Sequence, residues 1–183
     1  MSRAVASRYH PALVALHWLI ALMIVGLLCV GFLVLGDMPN IDPNKLAILK
    51  LHMAGGMFVL ALMILRVVIR WRSARPAPAT TGSPWLDRLA SIAHFSLYAI
   101  VFLMVASGFA TGYLIRNAFA PNGEPLPDFD LLPTFQAHSI LATLLVVLIA
   151  AHVAAALYHQ FALKDGLFRR MWFGKRTITS AEK

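Results

Sequence analysis

The sequence has little charge for its size. Only 13% of its 183 residues are Asp, Glu, Lys or Arg, whereas 60% are hydrophobic. Soluble globular domains of ordinary composition carry about 25% charged residues, which cover the surface that faces water. The composition therefore argues against a soluble domain and predicts a chain whose outer surface contacts membrane lipid.

Cysteine is almost absent. Cys29 is the single one, and it lies inside an apolar run. One cysteine excludes a disulfide framework, a set of cluster-binding cysteines and a CxxCH sequence for covalent haem attachment. Any haem in this protein is therefore expected to be bound noncovalently.

Acidic residues are also scarce. The chain has 8 of them against 16 Lys and Arg, which gives a net charge of +8. A basic protein often binds nucleic acid, but here the Lys and Arg lie in clusters between long apolar runs rather than along one amphipathic face. We therefore expect no nucleic acid partner, and the charge pattern instead indicates membrane topology.

Four long apolar runs are present, at about residues 13–35, 46–69, 89–115 and 135–163. Each reaches the roughly 20 residues that a helix needs to cross a bilayer. The sequence therefore predicts an all-α integral membrane protein. It is expected to be one membrane domain over residues 1–183, a bundle of four transmembrane helices followed by a tail at 164–183.

Basic clusters predict the orientation of these helices. The N-terminus, the second connection and the tail are basic, and such segments stay in the cytoplasm. The first and third connections are mixed or acidic and are expected outside; they contain Asp37, Asp42, Lys45, Lys50, Arg116, Glu124, Asp128 and Asp130. Both termini are therefore predicted to be cytoplasmic.

Histidines are concentrated in the predicted helices. Six of the seven lie within them or at their ends: His17, His52, His94, His138, His152 and His159. An ionisable ring inside a membrane is costly, so each needs a partner. A single buried histidine is commonly explained by a hydrogen bond between helices, but six in four helices favour a set of ligands.

The fourth helix carries two of these histidines at an informative spacing. His138 and His152 are fourteen residues apart, which on an α-helix brings them within about 40° of the same face and about 21 Å apart along the axis. This spacing suits two haems near opposite membrane faces, each taking one axial imidazole from this helix and another from a neighbouring helix.

The depth of each histidine in the membrane suggests which histidines pair. His52 and His138 both lie at the outer ends of their helices and are expected to form the outer pair. On the inner side, His17 and His94 are both candidates, and either could face His152 or His159, so depth leaves that pairing open.

Glycines at helical spacing add weaker signals. Gly108 and Gly112 predict close packing between helices, which small residues at this spacing usually provide. Gly55 and Gly56, just beyond His52, are explained equally well by packing or by room for a porphyrin.

Taken together, these features resemble the prokaryotic cytochrome b561 family. The resemblance rests on His17 with Trp18 in the first helix, His52-x-x-Gly55 in the second, His94 in the third, the fourth-helix histidines, and the run HQFALKDGLFRRM at 159–171. It covers about residues 8–171, which is nearly the whole chain.

The resemblance implies a multi-pass protein of the bacterial inner membrane with two noncovalent haems b. It implies that His17 and His152 are the axial ligands of the cytoplasmic-side haem and that His52 and His138 are those of the periplasmic-side haem. The implied activity is that of a membrane oxidoreductase, which moves electrons from a small periplasmic donor such as superoxide to membrane ubiquinone. His159 matches a family position near the quinone.

Several alternatives stay open. The chain could instead be a haem-bearing anchor that relays electrons for a separate redox enzyme, or a haem-free metal or proton transporter. His94 could bind a haem propionate, carry a proton or simply join two helices by a hydrogen bond. Lys45, Lys50 and Arg116 could attract an anion on the outer side, although ordinary interfacial lysines and arginines explain them as well.

Overall fold

The computed structural model describes residues 5–116 and 126–179. Glu124 and the rest of residues 117–125 in the third connection lie outside the described residues, as do the last four residues of the predicted tail.

Four long helices dominate the structure. They are α1 (Pro11–Val30, continued by a π-helical segment at Gly31–Leu35), α2 (Lys45–Arg72), α3 (Pro84–Leu114) and α4 (Pro133–Tyr158, continued by a π-helical segment at His159–Leu163). All four are long and apolar enough to cross a membrane. The predicted fold class, a membrane protein with four transmembrane helices, is confirmed.

The helices begin before the predicted apolar runs. The largest difference is in α3, which begins at Pro84 rather than at residue 89. Proline is favoured in the first turn because it has no N–H to leave unpaired. In the same turn, the Asp87 carboxylate accepts two hydrogen bonds from Thr81. The Thr81 backbone N–H donates one at 2.8 Å, and the Thr81 hydroxyl donates the other at 3.0 Å. Local capping therefore starts this helix before the hydrophobic stretch does.

Large apolar side chains on the spanning helices are exposed. Leu22 is 71% and Phe95 is 75% exposed, values that would be costly in water but are favourable against lipid tails. The buried residues are fewer, with Leu13 and Val14 almost completely enclosed.

The two ends of the chain meet. Strand β1 (Val5–Ala6) pairs antiparallel with β2 (Ile178–Thr179), and between α4 and β2 lies a one-turn helix, α5 (Leu167–Arg170). The Trp18 indole donates a hydrogen bond to the Met171 carbonyl at 3.0 Å. This pairing holds both ends of the chain on the same side, as an even number of membrane crossings requires.

By internal contacts the chain divides into two compact units. The first comprises Met1–Ile20, Leu62–Ser96 and Val147–Lys183, and the second comprises Ala21–Ala61 and Leu97–Val146. Each unit contains a segment of all four long helices, and each contains one of the histidine groups described next.

Candidate functional site

The second unit contains a pair of histidines from different helices. His52 on α2 and His138 on α4 have ring centroids 6.3 Å apart, and their planes cross at 74°. The structure therefore brings together the two histidines that depth matched as the outer pair.

A hydrogen bond fixes the tautomer of His138. Its Nδ1 lies 3.0 Å from the Met104 carbonyl oxygen, and the Ser107 hydroxyl is 3.2 Å from the same nitrogen. A carbonyl can only accept, so Nδ1 carries the proton and Nε2 keeps its lone pair. A neutral imidazole with its Nδ1–H bound to a carbonyl is the usual state of a histidine that ligates a metal through Nε2.

His52 has an unusual environment. Among the described residues, its Nδ1 is a buried polar atom without a hydrogen-bond partner. Leaving such an atom unsatisfied costs on the order of 1–3 kcal/mol. A hydrogen bond between helices would have satisfied this nitrogen, so helix packing alone does not explain why it is buried here.

Glycines give these two rings their space. A Cβ on Gly108 would lie 3.0 Å from Cε1 of His138, and one on Gly31 would lie 3.6 Å from Cε1 of His52. Gly108 is therefore a place where the His138 ring approaches the α3 backbone. Gly55 instead packs on Leu27, whereas a Cβ on Gly56 would meet nothing within 4 Å.

The first unit contains a group of three histidines. The ring of His152 on α4 lies 6.2 Å from that of His17 on α1, with planes at 75°, and 5.4 Å from that of His94 on α3. The Nδ1 of His94 donates to the Ala90 carbonyl at 2.7 Å. The inner partner of His17 and His94 is thus His152, and His159 makes a different contact.

Arg66 on α2 accompanies this group. Its guanidinium donates to the Leu13 carbonyl at 2.6 Å, and its charge acts on both His17 and His152. Arg66 was not predicted as a site residue. An arginine inside a predicted span was a signal that could have found it, because such a charge is rarely without a function.

His159 pairs with an acidic residue beyond the helix. Its Nδ1 lies 2.5 Å from an Asp165 carboxylate oxygen. Burial raises the pKa of the Asp165 carboxyl, but hydrogen bonds from His159 and the Leu167 N–H, together with the charge of Arg170, outweigh it and bring the pKa below its ordinary value of 3.8. Asp165 was not predicted as a site residue, since its approach to His159 depends on the turn between them.

The outer cations have separate local roles. The Lys45 ammonium is bound by the Met38 carbonyl and the Asn40 side chain and lies near the Phe129 ring. The Arg116 guanidinium lies 4.2 Å from the Tyr113 ring centre and donates to the Tyr113 carbonyl. Lys45 is therefore used to hold the first connection, while Arg116 is held beside the outer end of α3.

Comparison with known proteins places this arrangement in a family. The sequence model of the family described as prokaryotic cytochrome b561 matches residues 8–174. This chain belongs to the prokaryotic cytochrome b561 family. Members of this family are membrane haem proteins of electron transport, and so this chain is a multi-pass protein of the bacterial inner membrane that binds b-type haem.

Curated relatives extend over almost the whole chain. A Yersinia pestis protein named probable superoxide oxidase CybB is 27% identical, covering 92% of this chain and 98% of the relative. Cytochrome b561 homolog 1 of Escherichia coli K12 is 29% identical, and the match covers 90% of this chain and 97% of the relative. Cytochrome b561 homolog 2 of the same strain is 30% identical, over 90% of each chain.

The paired histidines fit a b haem. An imidazole nitrogen lies about 2 Å from the metal it binds and about 1 Å from its own ring centre, so two axial rings on one metal have centroids roughly 6 Å apart. The His17–His152 and His52–His138 distances of 6.2 and 6.3 Å agree with this spacing. The fixed tautomer of His138 is also in keeping with an axial ligand, whereas the Nδ1 of His52 has no hydrogen-bond partner among the described residues.

Proposed function

We propose that this cytochrome b561 family member holds two haems b and passes electrons from a periplasmic donor such as superoxide to membrane ubiquinone. The observation that carries this proposal is the presence of two histidine pairs, one in each unit, with centroid distances of 6.2 and 6.3 Å. In both pairs the rings come from two different helices, which is how b-type sites in helix bundles are built.

For the outer haem, the proposed ligands are His52 and His138. The Met104 carbonyl holds the proton of His138 on Nδ1, so its Nε2 is the nitrogen that would bind iron. The backbone of Gly108 lies against the same ring and restricts its movement. These contacts orient the imidazole before the cofactor arrives.

For the inner haem, the proposed ligands are His17 and His152. Both His17 and His94 approach His152, but only the His17 ring lies at the separation expected for two axial imidazoles. The 5.4 Å distance of His94 is shorter than that separation. We assign His94 a supporting role beside the haem, through its Nε2, because its Nδ1 is bound to Ala90.

Haem b held by these two histidine pairs would supply a one-electron carrier, and two imidazole ligands for each iron would leave no open position for oxygen chemistry there. The surrounding protein then controls which molecules reach each haem and how much positive charge lies near it. Arg66 provides a positive charge beside the inner pair, where it favours an anionic group such as a propionate. Arg116, at the outer end of α3, favours the approach of an anion such as superoxide.

We place ubiquinone near His159 on the inner side. His159 is 9% exposed and lies at the end of α4, in the same unit as His17 and His152. The name of the Yersinia pestis relative, probable superoxide oxidase, supports superoxide as the donor. Both termini are proposed to be cytoplasmic, following the basic clusters.

The test is electron transfer by the purified chain alone. In lipid nanodiscs with ubiquinone, a superoxide-generating system should produce ubiquinol in proportion to the protein present, and added superoxide dismutase should abolish this product. The His52→Ala protein provides the control and should lose the activity. If quinol forms only after a second redox protein is added, the chain is an anchor and relay instead; if none forms with either, the proposed donor and acceptor are wrong.

A further inference from the structure

The turn after α4 has an unusual backbone. The π-helical segment His159–Leu163 ends at Lys164, which has a left-handed conformation with φ 52°. Lys164 is the only non-glycine residue with positive φ among residues 5–116 and 126–179. π-Helical turns are frequent at functional sites, and left-handed non-glycine residues carry backbone strain.

This turn returns Asp165 to the ring of His159. One carboxylate oxygen lies 2.5 Å from His159 Nδ1, and the other accepts the Leu167 backbone N–H at 2.9 Å. Because both oxygens are engaged, the carboxylate has a fixed orientation. We call these two residues the His159–Asp165 dyad.

The dyad joins a buried position to an accessible one. The His159 side chain is 11% exposed and that of Asp165 is 32% exposed. Asp165 also lines an open cleft of about 560 Å³ that includes the cationic Lys164 and Arg169. Water therefore reaches the carboxylate, whereas the imidazole lies further inside.

We propose that Asp165 is a positioning residue that holds His159 as the proton donor to bound quinone. This inference rests on the proposed function. The carboxylate accepts a hydrogen bond from the Nδ1–H, so Nε2 is the nitrogen that faces the substrate. Such a carboxylate–imidazole pair is a common way to orient a general acid.

The reaction balances with the proposed donor. Two superoxide anions each give one electron and leave as O₂, and the quinone takes up two electrons and two protons to become quinol. His159 delivers each of the two protons in turn from Nε2 to a quinone oxygen, its Nδ1–H bond to Asp165 stays intact, and the ring regains a proton from water after each transfer.

The pH dependence follows from the groups around the dyad. Arg170 acts on Asp165, Lys164 and Arg169 line the cleft, and the Tyr158 ring lies 6.3 Å from the His159 ring. The pKa of Asp165 lies below 3.8, so Asp165 is ionised at every pH near neutrality. Proton delivery limits quinone reduction most where protons are scarce, so a defect in this delivery should be larger at high pH than at low pH.

The experiment compares wild type with Asp165→Asn, which keeps an oxygen for the Leu167 N–H but removes the charge. Ubiquinone reduction should fall at least about tenfold at roughly pH 8 and less than about threefold at roughly pH 6. Electron transfer to ferricyanide, which takes no proton, should stay unchanged, as should the haem spectrum. Asp165→Glu should restore part of the rate.

Asp87→Asn is the matched control, because Asp87 is another carboxylate at the start of a helix and should leave the pH profile unchanged. An Asp165→Asn protein with the wild-type pH profile would overturn the inference while leaving the proposed function intact. Equal losses at both pH values that extend to ferricyanide would also overturn it, since they indicate a structural role. If wild type itself fails to reduce quinone, the proposed function fails first and this inference with it.

Discussion

At the scale of single residues, backbone contacts determine what each histidine can do. The Met104 carbonyl fixes the proton of His138 on Nδ1, and the Ala90 carbonyl does the same for His94. Both rings thus use Nδ1 for a backbone contact and leave Nε2 to face another group. What distinguishes them is the position of the opposite ring, since only His138 has its partner at the distance that an intervening metal requires.

Replacement of His17 or His94 separates their roles. His17→Ala should lose the inner haem and leave about one haem per chain, because His152 would have no second axial ligand. His94→Ala should keep both haems and change only the midpoint potential of the inner one, since it alters a neighbour of the ligand. Haem per chain and redox titration of the purified variants give the answer. Retention of two haems by His17→Ala together with loss of one by His94→Ala would reverse the assignment.

Gly108 provides a test of the outer site without removing a ligand. Its missing Cβ would lie 3.0 Å from the His138 ring, so Gly108→Val should displace the imidazole at a cost of about 1–3 kcal/mol. We expect the haem content to fall from about two towards one per chain. Gly26→Val is the control, because nothing lies within 4 Å of a Cβ at Gly26. Equal haem contents in the two variants would show that the close approach at Gly108 does not matter.

At the scale of helices and strands, the N-terminal segment holds the tail. The Arg8 guanidinium donates to the carbonyls of Arg169, Trp172 and Phe173 at 3.1–3.3 Å, and Arg176 binds the carbonyls of Arg8 and Ala74. These bonds satisfy carbonyls at the end of α5 and in the following turn, of which the Arg169 carbonyl also accepts the Trp172 N–H at 3.3 Å. The tail is therefore a docked part of the first unit.

Arg8→Ala should release this tail. Loss of the guanidinium should weaken docking by about 1–2 kcal/mol, since each bond is charge-assisted but partly exposed, which corresponds to a rise of about 5–30-fold in the undocked fraction. Trypsin cleavage after Lys175 and Arg176, followed by mass spectrometry, measures this fraction. Arg88→Ala, at an exposed position on α3, should not change the cleavage rate, and an unchanged rate in Arg8→Ala would contradict the docking role.

The helices were predictable and their ends were not. Long apolar runs are sufficient to identify a span, because lipid demands them along the whole length. The start of α3 at Pro84 depends on capping by Asp87, and the strands at the chain ends are only two residues long. Short contacts of this kind leave no periodic pattern in the sequence.

The candidate site was predictable only in part, as the helices were. Helical spacing and depth suggested that His52 and His138 would meet, and the structure brings them together. Depth could not choose between His17 and His94, and the structure shows why, since both rings contact His152. Asp165 could not be predicted from spacing, because its position depends on a left-handed residue at Lys164.

At the scale of the whole molecule, each of the two compact units contains one histidine pair within segments of the same four helices. The family match extends over residues 8–174 and so includes both pairs. The scarcity of charge leaves few other ionisable groups inside the spans, and Arg66 is placed beside the inner pair. The chain thus concentrates its intramembrane polar groups where the proposed cofactors would be.

The binding of two haems is tested most directly by the haem content of the purified wild-type protein, measured by pyridine haemochrome against protein concentration. We expect two haems b per chain in wild type and one in the His138→Ala variant, because each pair of imidazoles would hold one macrocycle. A stoichiometry of one or none in the fully loaded wild-type protein, or an unchanged stoichiometry in His138→Ala, would contradict it.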